Sequence, residues 1–365
     1  MTERFARVAA LLAWAERNIA LLDRCRPTNA ASEARRTSEL WARKQPTNPV
    51  WTYVRAPDFG PLRAELAAVS SRLGRDDAIA ALYAARADEL ALEASIAEAI
   101  GGAGFAALAR QRFPVPLGQL AETRARAWAG LAEDPESDEG EVIRSDACAD
   151  SRSLLSQMLA EVGQRKLSVA VVLDEKLQSV AATTAESVLV KPGVLLTARE
   201  ARRIVVHELF GHVLPRVSAR SASLALLRVG TAGAADDEEG RALSIERRSG
   251  LLGRRRQREL GRRHLAALCV AEGADWVETV RTLVDRGTPI GTALELANRV
   301  QRGGGLAREV VYLPALLRVE QALAGEPELD DWLAAGRLSL AAARVLRQIR
   351  PGLVAESALG SGLAR

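Results

Sequence analysis

The chain of 365 residues holds three histidines, three cysteines and only four lysines, Lys44, Lys166, Lys176 and Lys191, and each scarcity narrows what it can be. Cys25, Cys148 and Cys269 are odd in number and far apart, which excludes a disulfide framework and a cysteine metal cluster and leaves buried thiols as the simplest reading. No run of about 18 or more apolar, uncharged residues occurs, and the N-terminal MTERFARVAALLAWAERN carries charge through its apolar stretch. A membrane span and a signal peptide are therefore not expected, and the chain reads as cytoplasmic. The near-absence of lysine means that the net charge of +4 rests on arginine. With abundant Ala, Leu, Val and Gly, that is what a GC-rich genome produces unselected, so the basic balance does not argue for a nucleic-acid partner. The arginine-dense run Arg247 to His264 stands apart; a basic helix there could meet an acidic partner or present a solvated face.

What is present is enough apolar residue, 48%, to bury one large core or two ordinary ones. Up to about residue 132 the apolar residues recur at a helical period, as in DDAIAALYAARADELALEASIAEAI. The stretch CRPTNAASEARRTSELWARKQPTNPVWTYV reads as a loop, a helix and a loop ending in an aromatic extended piece. Residues 133–146, opening with the acidic EDPESDEGE, read as a linker between an N-terminal helical region, 1–132, and a domain spanning 147–365. After a helix near Leu154 to Val162, the β-branched LSVAVVL and SVLVKPGVLL supply two or three strands of a small sheet. The expected class is α+β, mostly α.

Two of the three histidines, His207 and His212, sit in IVVHELFGHVL, on the helix opened by the capping-box pattern Thr197-Ala-Arg-Glu200. That helix is expected to stop by Pro215. A histidine followed directly by glutamate, with a second histidine on the same helix, is the core of a zinc peptidase site. Two imidazoles supply nitrogen ligands, and the adjacent carboxylate, Glu208, can take a proton from water without ligating. The usual spacing is H-E-x-x-H, whereas here it is H-E-x-x-x-H. On an α-helix, residues five apart lie about 140° around the axis, so the rings would diverge. A π-type bulge restores a common face, which predicts a distorted turn between His207 and His212, eased by Gly211. The strand-then-active-site-helix order is that of zincin-type peptidases. A third ligand is required. No histidine follows before His264, so a carboxylate of DDEEGRALSIE is expected, with Glu238, Glu239 and Glu246 as candidates.

The runs HELFGHVLPR, EEGRALSIE and NRVQRGGGLAREVVYLPAL, with the P-x-N turn at Pro27 and Asn29 and the aromatic piece near Trp51 and Tyr53, resemble a bacterial family named for its QEGLA motif, also described as flavohemoglobin expression-modulating. Its relatives include the microtubule-associated tyrosine carboxypeptidase. The resemblance covers most of the chain. It implies a zincin-like zinc metallo-carboxypeptidase of the glutamate-ligand type, with one zinc per chain held by His207, His212 and Glu239 and with Glu208 as general base. It implies as substrate a peptide or protein C-terminus, whose carboxylate Arg302, or Arg299 on the same helix, would bind in a bidentate fork. Alternatively, the R-G-G segment is a glycine-capped helix end. Tyr312 could donate to the developing oxyanion or pack in the core. Glu246, two turns beyond Glu239, could orient a ligand, whereas Glu238 is expected to point elsewhere. Two positions depart from the family: Arg241 replaces a leucine, and Gly211 stands where threonine is common. A catalytically silent, partner-binding protein of the same fold is the alternative function.

Overall fold

The computed structural model describes residues 3–115, 119–132, 140–177, 179–184 and 186–354. The chain forms two compact units. One is built from Ala132–Arg256 and Ala315–Arg365, the other from Thr2–Leu131 and Gln257–Pro314. Residues 257–314 thus group with the N-terminal helices. Of the expected acidic linker, 133–139 lie outside the described residues, and its end is a strand. The fold is mostly helical with small sheets, as the composition and periodicity imply.

In the first unit, β1 (Val142–Arg144) pairs antiparallel with β5 (Leu195–Thr197). A second sheet has the order β2 (Ala170–Leu173), β4 (Ser187–Val190), β3 (Ala181–Thr183), with β2 parallel and β3 antiparallel to β4. The apolar run 187–196 is therefore two strands. Lys191-Pro192-Gly193 divides it, and Gly193 takes a φ of +76° at the turn. Alternation on the central strand buries Val188 and Val190 completely. They pack with Leu154 and Met158 of the helix Leu154–Gln164 and with Ile204, Val205, Leu209 and Val213 of the histidine-bearing helix. Ser153 starts Leu154–Gln164 by accepting from Ser156 N at 3.1 Å. This core fixes the histidine helix against the sheet.

The second unit is a helical assembly in which Gly60–Leu73 packs on Ala78–Glu98. Its expected loop, helix and loop are present around Ala30–Ala42. Asn29 clamps the extended piece, donating to Val50 O and accepting from Thr52 N, both at 2.9 Å. Of the cysteines, Cys25 and Cys269 are buried as expected, but Cys148 is exposed. Among the described residues no helix is long and apolar enough to cross a membrane.

Candidate metal centre

The capping box at Thr197 is formed: Thr197 Oγ1 accepts from Glu200 N at 3.2 Å, and Thr197 N donates to the Glu200 carboxylate at 2.9 Å. From Ala198 to Val205 the helix is α. It then winds as a π-helix over Val206–Val213, a longer distortion than a one-residue bulge, and returns to α over Leu214–Ser221. Wider winding brings residues five apart to one face.

Pro215 does not end the helix; it sits in the first turn of Leu214–Ser221. Leu214 N donates to Leu209 O, in the i to i−5 register, so it cannot serve the Phe210 carbonyl as it would in an α-helix. In the π register Phe210 would accept from residue 215, a proline without an N–H. Arg241 supplies the donor, its Nη1 lying 2.8 Å from Phe210 O, while its Nε donates to Asp330 at 2.8 Å. Arg241, 3% exposed, is thus a buried strut for the π turn.

Gly211 also has a different role from easing the distortion. A Cβ there would lie 2.5 Å from Ala242 Cβ and 3.1 Å from its Cα, so glycine permits close approach of the helix Ala234–Arg248. On that same helix a Cβ at Gly240 would lie 2.5 Å from Ala315 O. Gly211 thus lets the helix that carries Glu239 lie close against the histidine helix. Gly211→Ala is expected to destabilise the protein by about 1–3 kcal/mol through overpacking. Gly163→Ala, where nothing lies within 4 Å of the new methyl, should be neutral or stabilising, and thermal unfolding compares the two.

His207 Nε2 lies 3.5 Å and His212 Nε2 3.8 Å from Glu239 Oε2. The rings are 5.2 Å apart at 66°. One ligand atom from each of the three residues falls within 4.8 Å of the others. Two imidazole nitrogens and one carboxylate oxygen gathered within that distance are the donor types of a catalytic zinc site, so the residues fit that ion.

Behind His207, Nδ1 meets Glu246 Oε1 at 2.7 Å. Glu246 is fully buried, with Arg256 Nε 3.3 Å and Arg203 Nη1 3.6 Å from its oxygens. Burial would raise its pKa, but Arg256, His207 and Arg203 hold it at about 2. Burial likewise opposes the charged form of His207, yet Glu239, Glu246 and Glu208 raise its pKa to about 9. Glu238, which the helical wheel alone directs elsewhere, faces His212 Nδ1 at 3.8 Å. His212 carries a nitrogen on each edge of its ring, and the consecutive residues Glu238 and Glu239 each face one of them. Glu208 accepts a hydrogen bond from Thr183 Oγ1 at 2.7 Å. Neither Thr183 nor its strand β3 has a distinctive signature in the sequence.

Arg299, Arg302 and Tyr312 belong to the second unit. Arg299 donates to the buried Glu309, and Arg302 Nη2 lies 3.6 Å from the same carboxylate. The helix geometry breaks at Arg302, and Gly303, Gly304 and Gly305 all take positive φ. Glycine is required at 303, where a Cβ would lie 2.5 Å from the Phe105 ring and where the N–H donates to Tyr53 Oη at 2.9 Å. Tyr312 is buried and its hydroxyl accepts from Arg308 at 2.8 Å. His264 is a buried histidine of this unit, its pKa lowered to about 4 by burial against the opposing charge of Glu122. The segment Arg247 to His264, expected to offer a basic face, directs several guanidiniums at its own chain: Arg247 to Glu320, Arg248 to Asp330, Arg255 to Glu200 and Arg256 to Glu246.

Curated proteins and solved structures yield no match. A family model described as microtubule-associated tyrosine carboxypeptidase matches residues 38–358.

Proposed function

Since the chain belongs to the microtubule-associated tyrosine carboxypeptidase family, we propose that it is a zinc-dependent carboxypeptidase acting on the C-terminus of a peptide or protein. The observation that carries the zinc reading is the convergence of His207, His212 and Glu239 ligand atoms within 4.8 Å. A short sheet whose edge strand β3 abuts the metal helix supports a zincin-like catalytic unit.

Zinc, when bound, supplies Lewis-acid polarisation of the scissile carbonyl and lowers the pKa of water. His207, His212 and Glu239 would hold it. Glu208 is the proton carrier: it removes a proton from the attacking water and delivers it to the leaving amine. Thr183 occupies Glu208 Oε2, which leaves Oε1 as the atom that takes the proton. Glu246 accepts from His207 Nδ1–H and so directs Nε2 toward the ion. Arg302, with Arg299 on the same helix as second candidate, is the residue we propose for binding the substrate carboxylate; in the second unit both flank the buried Glu309 and hold its carboxyl below the ordinary carboxylate range. Tyr312, buried and bonded to Arg308, packs rather than donates to an oxyanion.

The test is digestion of a peptide library by zinc-loaded protein, read by mass spectrometry. Stepwise loss of single C-terminal residues is expected. Internal cuts would rule out the carboxypeptidase reading, and a preference for residues other than tyrosine would define its specificity.

A further inference from the structure

Among the buried charges near the histidines, Glu238 has no role in the chemistry described so far. It is 6% exposed, and it lies on the same helix as Glu239. Arg216 Nη2 approaches its Oε2 at 3.5 Å and Arg337 Nε its Oε1 at 3.7 Å. Its Oε1 has no hydrogen-bond partner among the described residues, so the carboxylate is held by charge more than by directional bonds. Burying a carboxylate under these terms is unfavourable unless it serves a neighbour.

That neighbour is His212. Its Nε2 faces Glu239, so Nδ1 must carry the ring proton if Nε2 is to act as a ligand. A buried Nδ1–H needs an acceptor. His212 Nδ1 is buried without a hydrogen-bond partner among the described residues, and the carboxylate facing it, at 3.8 Å, is Glu238. On the other side of the site, His207 Nδ1 has the same relation to Glu246, closed to 2.7 Å and backed by Arg256 and Arg203. The two histidines therefore stand at the ends of matching chains of arginine, carboxylate and imidazole, one hydrogen-bonded and one not.

We propose that Glu238 is a positioning residue for the metal, accepting the His212 Nδ1 proton and thereby fixing the tautomer and ring orientation, with Arg216 and Arg337 holding it in place. This rests on the zinc reading of the site. Outer carboxylates of this kind typically contribute about 10–100-fold to metal affinity.

The test measures zinc dissociation constants by chelator competition, and the visible absorption bands of the cobalt-substituted protein, for wild type, Glu238→Ala, Glu238→Gln and Glu246→Gln. Thermal unfolding is followed in parallel. Glu238→Ala is expected to weaken zinc binding about 10–100-fold and to alter the cobalt bands, because His212 loses its acceptor. Glu238→Gln keeps an acceptor oxygen of the same shape and should recover most of that loss. Should the alanine variant fold poorly, the glutamine variant alone decides, through a several-fold loss of affinity comparable to that of Glu246→Gln. Zinc affinity and cobalt bands identical to wild type in both Glu238 variants would overturn the assignment. So would a loss in Glu238→Ala that glutamine fails to recover while both fold as wild type. Failure of the wild-type protein to bind zinc would instead overturn the zinc reading on which the proposal stands.

Discussion

Replacing Glu208 by glutamine is expected to lower kcat by about 10²–10⁴-fold while leaving zinc bound. The residue is placed for this outcome: it follows a proposed ligand directly, yet its carboxylate is directed to Thr183 Oγ1 at 2.7 Å rather than to the cluster formed by the histidines and Glu239. Glutamine retains an oxygen for the Thr183 hydroxyl and is nearly isosteric, so fold and metal content should be unchanged. What it loses is the ability to accept a proton at neutral pH and return it. Single-turnover and steady-state kinetics on a cleavable peptide, with zinc content measured on the same samples, separate these effects. Retention of full activity by Glu208→Gln would transfer the proton-carrying role to another group.

Zinc affinity should rise about tenfold for each pH unit between about 6 and 9 and then level off. In the metal-free protein His207 lies among Glu239, Glu246 and Glu208, which outweigh its burial and raise its pKa to about 9. Below that pH the ring is protonated on both nitrogens and the ion must displace a proton to reach Nε2. Glu238 and Glu246, held at about 2, stay ionised throughout this window and add no slope. The metal-free fold should show the opposite trend. A histidine whose pKa rises from 6.5 to about 9 on folding contributes stability that is fully present below 6.5 and is lost as pH rises through 9. Chelator competition and thermal unfolding across pH 6–10 read both trends. His207→Ala, expected to lose the metal outright, supplies the baseline. A flat affinity profile would place the displaced proton elsewhere.

The centre of the candidate site is legible in the sequence because it is local. His207, Glu208 and His212 lie within one short string, and their spacing alone implied a distorted helix, which the π winding over Val206–Val213 provides. Glu239 was less legible, since the pattern offered three glutamates and only the resemblance chose among them. What escaped sequence reading depends on contacts between segments distant in the chain. In the sequence Gly211 signifies only backbone freedom; its purpose is set by Ala242. Pro215 signals a stop because in an α-helix it forfeits a hydrogen bond; the winding change moves that deficit to Phe210 O, which Arg241 satisfies. The helical wheel of its own helix points Glu238 away, but its surroundings are set by the histidine helix. Thr183 sits in Ala-Ala-Thr, too short and plain to mark a strand. The grouping of residues 257–314 with the N-terminal helices likewise follows from packing that no local pattern encodes.

The π turn carries one more implication. An isolated 198–221 segment would have no Arg241 side chain to cap Phe210 O and no Ala242 against Gly211, and it would relax toward ordinary α winding with its two imidazoles pointing apart. The distance between the ligands is therefore a property of the folded unit and not of the helix that bears them. Zinc, by favouring the wound-out form, would stabilise the very contacts that maintain it. Metal binding and tertiary packing would then reinforce one another, and a partly unfolded chain would carry the ligand sequence without the capacity to chelate.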